Sequence, residues 1–158
     1  MPKRTRSIAV ILTAVLIFGS TGWVIANIDN YAVSAKQAEM TGGGIDWQEF
    51  SEEKLQGLLA ENKAVFIDFT AAWCLSCQVN EQTAFTSDEV QQEFKNLNIT
   101  ALKADWTKRD AKIAQALAKY GRNSVPLYVL YDGKKAEPQI LPELITPGIV
   151  LDALKNVK

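Results

Sequence analysis

No histidine occurs anywhere in this chain of 158 residues. That absence excludes Cys-His and Ser-His catalysis, the usual histidine-containing zinc sites, and any imidazole poised beside a thiol. Cysteine is scarce too, with two in the whole chain, Cys74 and Cys77. Two thiols supply neither a four-ligand zinc site nor an iron–sulfur cluster within one chain, so neither a metal nor a bound cofactor is expected. An excess of positive charge is also missing. The 17 Lys+Arg against 18 Asp+Glu give a net charge of −1, which offers no basic surface for nucleic acid. Any chemistry must run on thiols, carboxylates and lysines. With 47% apolar and 22% charged residues, the composition is that of an ordinary globular protein. The length suffices for one domain with a core plus an appendage.

The N-terminus reads as a targeting segment. Lys3, Arg4 and Arg6 precede a stretch from Ile8 to Ile28 that carries no charge. As a helix it measures about 32 Å, roughly the hydrocarbon thickness of a bilayer. Basic residues ahead of the span favour a cytoplasmic N-terminus and send the rest of the chain across the membrane. Residues 1–28 are therefore expected to form a single-pass inner-membrane anchor. Two other readings stay open. One is a signal segment, since Val33 and Ala35 offer small-residue cleavage positions. The other is a fragment whose apolar start is the last span of a larger membrane protein. All three place the remainder in the periplasm or another extracytoplasmic space. Residues 29–45 lack periodicity and finish in three glycines, as expected of a flexible tether reaching about 20–25 Å.

From residue 46 to residue 158 the pattern alternates between helix and strand. Leu55, Leu58 and Leu59 fall at helical spacing behind Ser51, a suitable N-cap. "AVFIDF" (64–69) is nearly all apolar, as a strand buried on both faces is. A helix starts at the cysteines, another follows with Ser87 placed to cap it, and "ITALKAD" (99–105) reads as a second strand. Ile113, Leu117 and Tyr120 mark the clearest helix, which Gly121 closes. "LYVLYDGKK" runs as a strand into a turn at Asp132-Gly133, with "PQIL" as its hairpin partner. Thr146 and Pro147 open a last helix as N-cap and first helical residue. The expected fold class is α/β, a mixed central sheet flanked by helices. A C-x-x-C directly after a strand in such a pattern points to a thioredoxin-like fold.

The two cysteines, in "WCLSC", admit three readings. For redox work a thiolate must form near neutral pH, and a cysteine at a helix N-terminus is helped to ionise by free N–H groups and the dipole. Cys74 holds that place, and Cys77, one turn in, is positioned to resolve a mixed disulfide. A purely structural bridge closing so short a loop removes little unfolded-state entropy. A two-coordinate copper site has neither a Met nor a third Cys close by. Asp68 sits in the middle of the apolar strand, where a carboxylate is costly unless neutralised or employed; the bland alternative is that its face of the strand is solvated. Glu81, four residues past Cys77, shares a helical face with both cysteines. It is either a modulator that raises the thiol pKa or a solvated surface glutamate.

"VFIDFTAAWCLSC" followed by "SVPLYVLYDGK" resembles a thioredoxin-fold domain. "DFTAAWCLSCQVNE", "LKADWT", "GRNSVPLYVLY" and "LPELITPGIVLDAL" together are similar to the C-terminal catalytic domain of DsbD-type protein-disulfide reductases. The resemblance covers roughly residues 46–158. It implies that Asp68 is a buried acid that takes and returns the proton of the resolving thiol, and that Lys103 lies near it; a lysine stem reaching to solvent is the plain alternative. It implies that Trp73 shields the thiol and contacts partners, although a core or rim aromatic would look the same. It makes Pro126 a cis-proline facing the C-x-x-C, and Val125 a residue whose backbone pairs with an extended substrate. Tyr128 and Tyr131 are left as packing residues.

The expected activity is reduction of disulfides in periplasmic partner proteins through a dithiol/disulfide cycle, with a membrane electron-donor protein upstream. The direction follows from the absence of histidine between the cysteines, since strong oxidants hold their thiolate unusually well. A disulfide oxidase or isomerase, or a copper-handling factor in cytochrome or oxidase assembly, are the alternatives.

Overall fold

The computed structural model describes residues 44–134 and 137–157. The expected anchor, and all but the end of the tether, lie outside the described residues. Among the described residues no helix is long and apolar enough to cross a membrane.

The order of elements is β1 (Trp47–Glu49), α1 (Glu52–Ala60), β2 (Val65–Thr70), α2 (Leu75–Asn80), a π-helical turn (Glu81–Phe85), α3 (Asp88–Asn96), β3 (Thr100–Asp105), α4 (Ala111–Lys119), β4 (Leu127–Tyr131), β5 (Gln139–Leu141) and α5 (Pro147–Leu154). The five strands form one mixed sheet in the order β1-β3-β2-β4-β5. β1, β3 and β2 run parallel, β4 is antiparallel to β2, and β5 is antiparallel to β4. This is the α/β arrangement expected, with two elements that pattern reading passed over. β1 is only three residues long and carries a Gln and a Glu; Trp47, 3% exposed, anchors it opposite Ala101 of β3. The π-helical turn continues α2 without a break in composition.

β2 explains the two-sided core. All six of its residues are buried, and strand alternation sends them to opposite faces. Val65, Ile67 and Phe69 pack with Leu102, Leu117, Leu127 and Val129 on one face. Phe66 packs with Trp47, Phe85, Phe94 and Tyr128 on the other, where the π-helical turn, α3 and α5 close the layer. Asp68 belongs to this second face by parity.

Local signals set most of the ends. Ser51 Oγ accepts from Lys54 N at 3.1 Å. Asp110 Oδ1 accepts from Lys112 N and Ile113 N at 2.8 and 3.2 Å. Thr146 Oγ1 accepts from Ile149 N at 3.4 Å, with Pro147 in the first turn. Gly121 follows α4 at φ +69°. Ser87 occupies the N-cap of α3, but its hydroxyl makes no capping bond. Gly133, at φ +77°, is required in the turn after β4 because a Cβ there would lie 2.5 Å from the Asn62 carbonyl oxygen.

Topology gathers the interesting residues at one sheet edge. β2 and β3 are parallel, so the segments leaving Thr70 and Asp105 emerge side by side. β4 is antiparallel and pairs Leu127 with Phe69, so the chain enters β4 at that same edge. Cys74, the loop 106–110 and Val125-Pro126 therefore converge.

Candidate active site

Cys74 and Cys77 are joined in a disulfide, with Cα atoms 5.3 Å apart. Cys74 is the N-cap of α2, and Cys77 N donates to its sulfur at 3.2 Å. Ser76 Oγ lies 3.5 Å from the same sulfur. Cys77, at 1% exposure, is deeper than Cys74 at 6%. Ala71 and Val125 pack against the pair, and the Val125–Pro126 peptide is cis. Thus Val125 stands beside the cysteines, with Pro126 next to it in the chain at the entry to β4.

Beneath this edge lies a buried polar layer. Asp68 is fully buried, and neither carboxylate oxygen has a hydrogen-bond partner among the described residues. Burial pushes its carboxyl from 3.8 up to about 8; the charge of Glu81 adds to the rise and Lys103 opposes it. The face carrying Asp68 is therefore not solvated. Its cross-strand neighbours are Lys103 on β3 and Tyr128 on β4. Each is gripped by one of two consecutive residues where α2 passes into the π-helical turn. Glu81 Oε1 accepts from Lys103 Nζ at 3.1 Å and from Thr70 Oγ1 at 3.2 Å. Asn80 Nδ2 donates to Tyr128 Oη at 2.9 Å.

Glu81 is therefore neither a fully solvated glutamate nor alone with the thiols: its carboxylate is committed to Lys103 and Thr70. The Lys103 side chain is 10% exposed and ends on Glu81, so its stem does not run out to solvent. Tyr128 is more than a packing residue. Its hydroxyl is held by Asn80, and burial, with the nearby Asp68 charge, pushes its pKa well above the ordinary phenol value.

Asn80 escaped sequence reading altogether. It is 2% exposed, and it also donates to the Glu143 carbonyl at 2.7 Å and accepts from Ile145 N at 3.4 Å. One amide thereby ties the cysteine helix to β4 and to the loop before α5. A polar residue in a helical stretch reads as surface unless something marks it as buried, and nothing in the local sequence does.

Trp73 is 49% exposed and is a rim residue. Its indole Nε1 donates to the Thr107 carbonyl at 3.2 Å, and Ala72 N donates to Thr107 Oγ1 at 2.8 Å. The loop after β3 thus braces the residues just ahead of Cys74. Chemically, the assembly presents one sulfur at a helix start, a second sulfur behind it, and, in the strand that leads into them, a buried acid that is largely protonated at neutral pH. Such a set can exchange thiols for disulfides and move the accompanying proton.

Known proteins resemble this chain in sequence and in fold. Thiol:disulfide interchange protein DsbD of Yersinia pestis is 33% identical over 86 residues, covering 53% of this chain and 14% of the relative. The protein of the same name from Haemophilus influenzae is 28% identical over 106 residues, 66% of this chain and 18% of the relative. The chain therefore matches less than a fifth of the length of either. Among solved structures, the reduced C-terminal domain of Neisseria meningitidis DsbD aligns over 70% of this chain and 100% of that domain, with a TM-score of 0.54 and 19% identity; at that identity the likeness speaks for the fold. A family profile described as thioredoxin-like matches residues 46–133. That stretch runs through β2, both cysteines and the turn into β4, so what matches is the part of the fold that builds the site, and the chain belongs to the thioredoxin-like family.

Proposed function

We propose that this chain is a thiol:disulfide interchange protein that reduces disulfides of extracytoplasmic partner proteins, held at the inner membrane by its N-terminal segment and recharged by a membrane electron-donor protein. The observation that carries the proposal is the Cys74–Cys77 disulfide at the start of α2, just after a strand that holds a buried acid. In the reduced protein, the Cys74 thiolate attacks one sulfur of a partner disulfide. A mixed disulfide forms, and the partner's other sulfur leaves as a thiolate and takes a proton. The ionised fraction of Asp68 then takes the Cys77 proton, and the Cys77 thiolate attacks the Cys74 sulfur. The Cys74–Cys77 bond forms, the mixed disulfide breaks, and the partner departs with two electrons and two protons gained. Asp68 suits the role because its carboxyl, at about 8, sits near the pKa of a thiol.

Val125, packed against the cysteine pair, offers its backbone to an extended partner strand, with Pro126 and Trp73 flanking the sulfur. Glu81 acts on the thiols through the buried layer, by raising the Asp68 carboxyl towards the pKa of a thiol and holding Lys103 in place. The direction, reductase rather than oxidase, is supported by the surroundings of the Cys74 sulfur. Its hydrogen-bond neighbours are a backbone N–H and a hydroxyl, neither of them a cation that would stabilise the thiolate strongly.

The test is a trap. In a Cys77→Ser variant, partners should accumulate as mixed disulfides on Cys74, identifiable by mass spectrometry after acid quenching. A Cys74→Ser variant should capture none. Adducts that form through Cys77 instead would reverse the roles assigned.

A further inference from the structure

The end of β3 and the loop after it carry two acids and two bases at the rim of the site, and the structure uses them unequally. Asp105 Oδ1 accepts from Thr107 N at 2.8 Å and from the Thr107 hydroxyl. Asp110 caps α4. Both carboxylates are thus committed to their own backbone. Lys108 and Arg109 are exposed, and neither pairs with a carboxylate among the described residues. Arg109 is nevertheless fixed. Its guanidinium lies 5.1 Å from the ring centroid of Trp73 and 5.6 Å from that of Trp106, rings that are themselves 6.1 Å apart. The Trp73 ring is fixed in turn by its bond to the Thr107 carbonyl. A cation held on two aromatic faces keeps its N–H fork for an outside acceptor, and a planar fork matches a carboxylate. This fork stands on the residue adjoining Cys74.

We infer that Arg109, stacked on Trp73 and Trp106, is a specificity residue that receives a carboxylate on the partner segment flanking the disulfide under attack, so that the preferred substrates are disulfides set among acidic residues. The inference rests on the interchange reading above and names its substrate class. Ordering the guanidinium in advance lowers the cost of docking. An exposed charge-assisted contact of this kind is expected to change the rate by roughly three- to tenfold.

The experiment uses the reduced full chain in detergent and two synthetic peptides, each closed by one intramolecular disulfide. They are identical except for two glutamates or two lysines beside the cysteines. Second-order rates of peptide reduction are measured at low and high salt. The expected result is a glutamate-over-lysine rate ratio of roughly three to ten, shrinking as salt rises. Arg109→Gln should bring the ratio close to one, Arg109→Lys should retain part of it, and Arg109→Glu should invert it, an outcome that misfolding cannot imitate. A wild-type ratio near one, or a ratio unchanged in Arg109→Gln and Arg109→Glu, overturns the inference while leaving interchange intact. A chain that reduces neither peptide overturns the interchange reading and the substrate preference with it.

Discussion

Replacing Asp68 by asparagine is expected to stabilise the oxidised protein, and to do so increasingly as pH rises from 5 to 8. The Asp68 carboxyl is buried without a hydrogen-bond partner among the described residues, and its pKa is moved from 3.8 to about 8. Between those values the folded protein holds a proton that the unfolded chain has released. Stability is therefore fully present below the unfolded pKa and is lost as pH climbs towards the folded one, at about 1.4 kcal/mol per pH unit. From 3.8 to pH 7 is 3.2 units, a loss on the order of 4 kcal/mol. Asparagine does not titrate, so the loss disappears. Part of the gain is offset because a buried amide without partners costs about 1–3 kcal/mol. The net gain at pH 7 is then roughly 1–3 kcal/mol, turning to a loss near pH 4. Urea unfolding followed by tryptophan fluorescence at several pH values, on both proteins in the oxidised state, measures the difference directly. Titrations elsewhere in the molecule cancel between the two. Stability curves that run parallel from pH 5 to 8 would refute the placement of a raised carboxyl at Asp68.

Other perturbations probe the same layer. Asn80→Ala strips partners from Tyr128, Glu143 and Ile145 and is expected to cost about 2–4 kcal/mol in chemical denaturation; a loss below about 0.5 kcal/mol would mean the network contributes little. Glu81→Gln removes a charge that raises the Asp68 carboxyl, so carbon-13 NMR should find Asp68 titrating below about 8, and an unchanged titration would detach Glu81 from it. Phe66→Ala, which opens the face between Trp47, Phe85 and Phe94, should destabilise by about 3–5 kcal/mol on thermal or urea unfolding.

The residues of this fold differ in how plainly the sequence marks them. β2 and α4 were legible because an unbroken apolar run and a clean helical period leave little choice. The cysteines, Asp68 and Pro126 were legible because each is an expensive or unusual residue for its setting. β1 was not, since three residues hold no periodicity and its burial depends on β3 lying beside it. Asn80 and Arg109 were equally silent: an asparagine in a helix and an arginine in a loop acquire meaning only from partners 48 and 65 residues away, or from two tryptophans brought together by the sheet edge. Glu81 was half legible. Spacing placed it near the cysteines, but its ion pair with Lys103 depends on strand register, which the helix alone does not reveal.

Equilibrium with glutathione redox buffers measures the direction of electron flow most directly. The fraction of Cys74–Cys77 disulfide, followed at fixed ratios of reduced to oxidised glutathione, gives the reduction potential of the pair. The surroundings of the Cys74 sulfur predict a value close to the thioredoxin end of the scale, about −270 mV, and well below the strong oxidants at about −120 mV. A potential near that upper value would contradict the reductase assignment and make the protein a donor of disulfides.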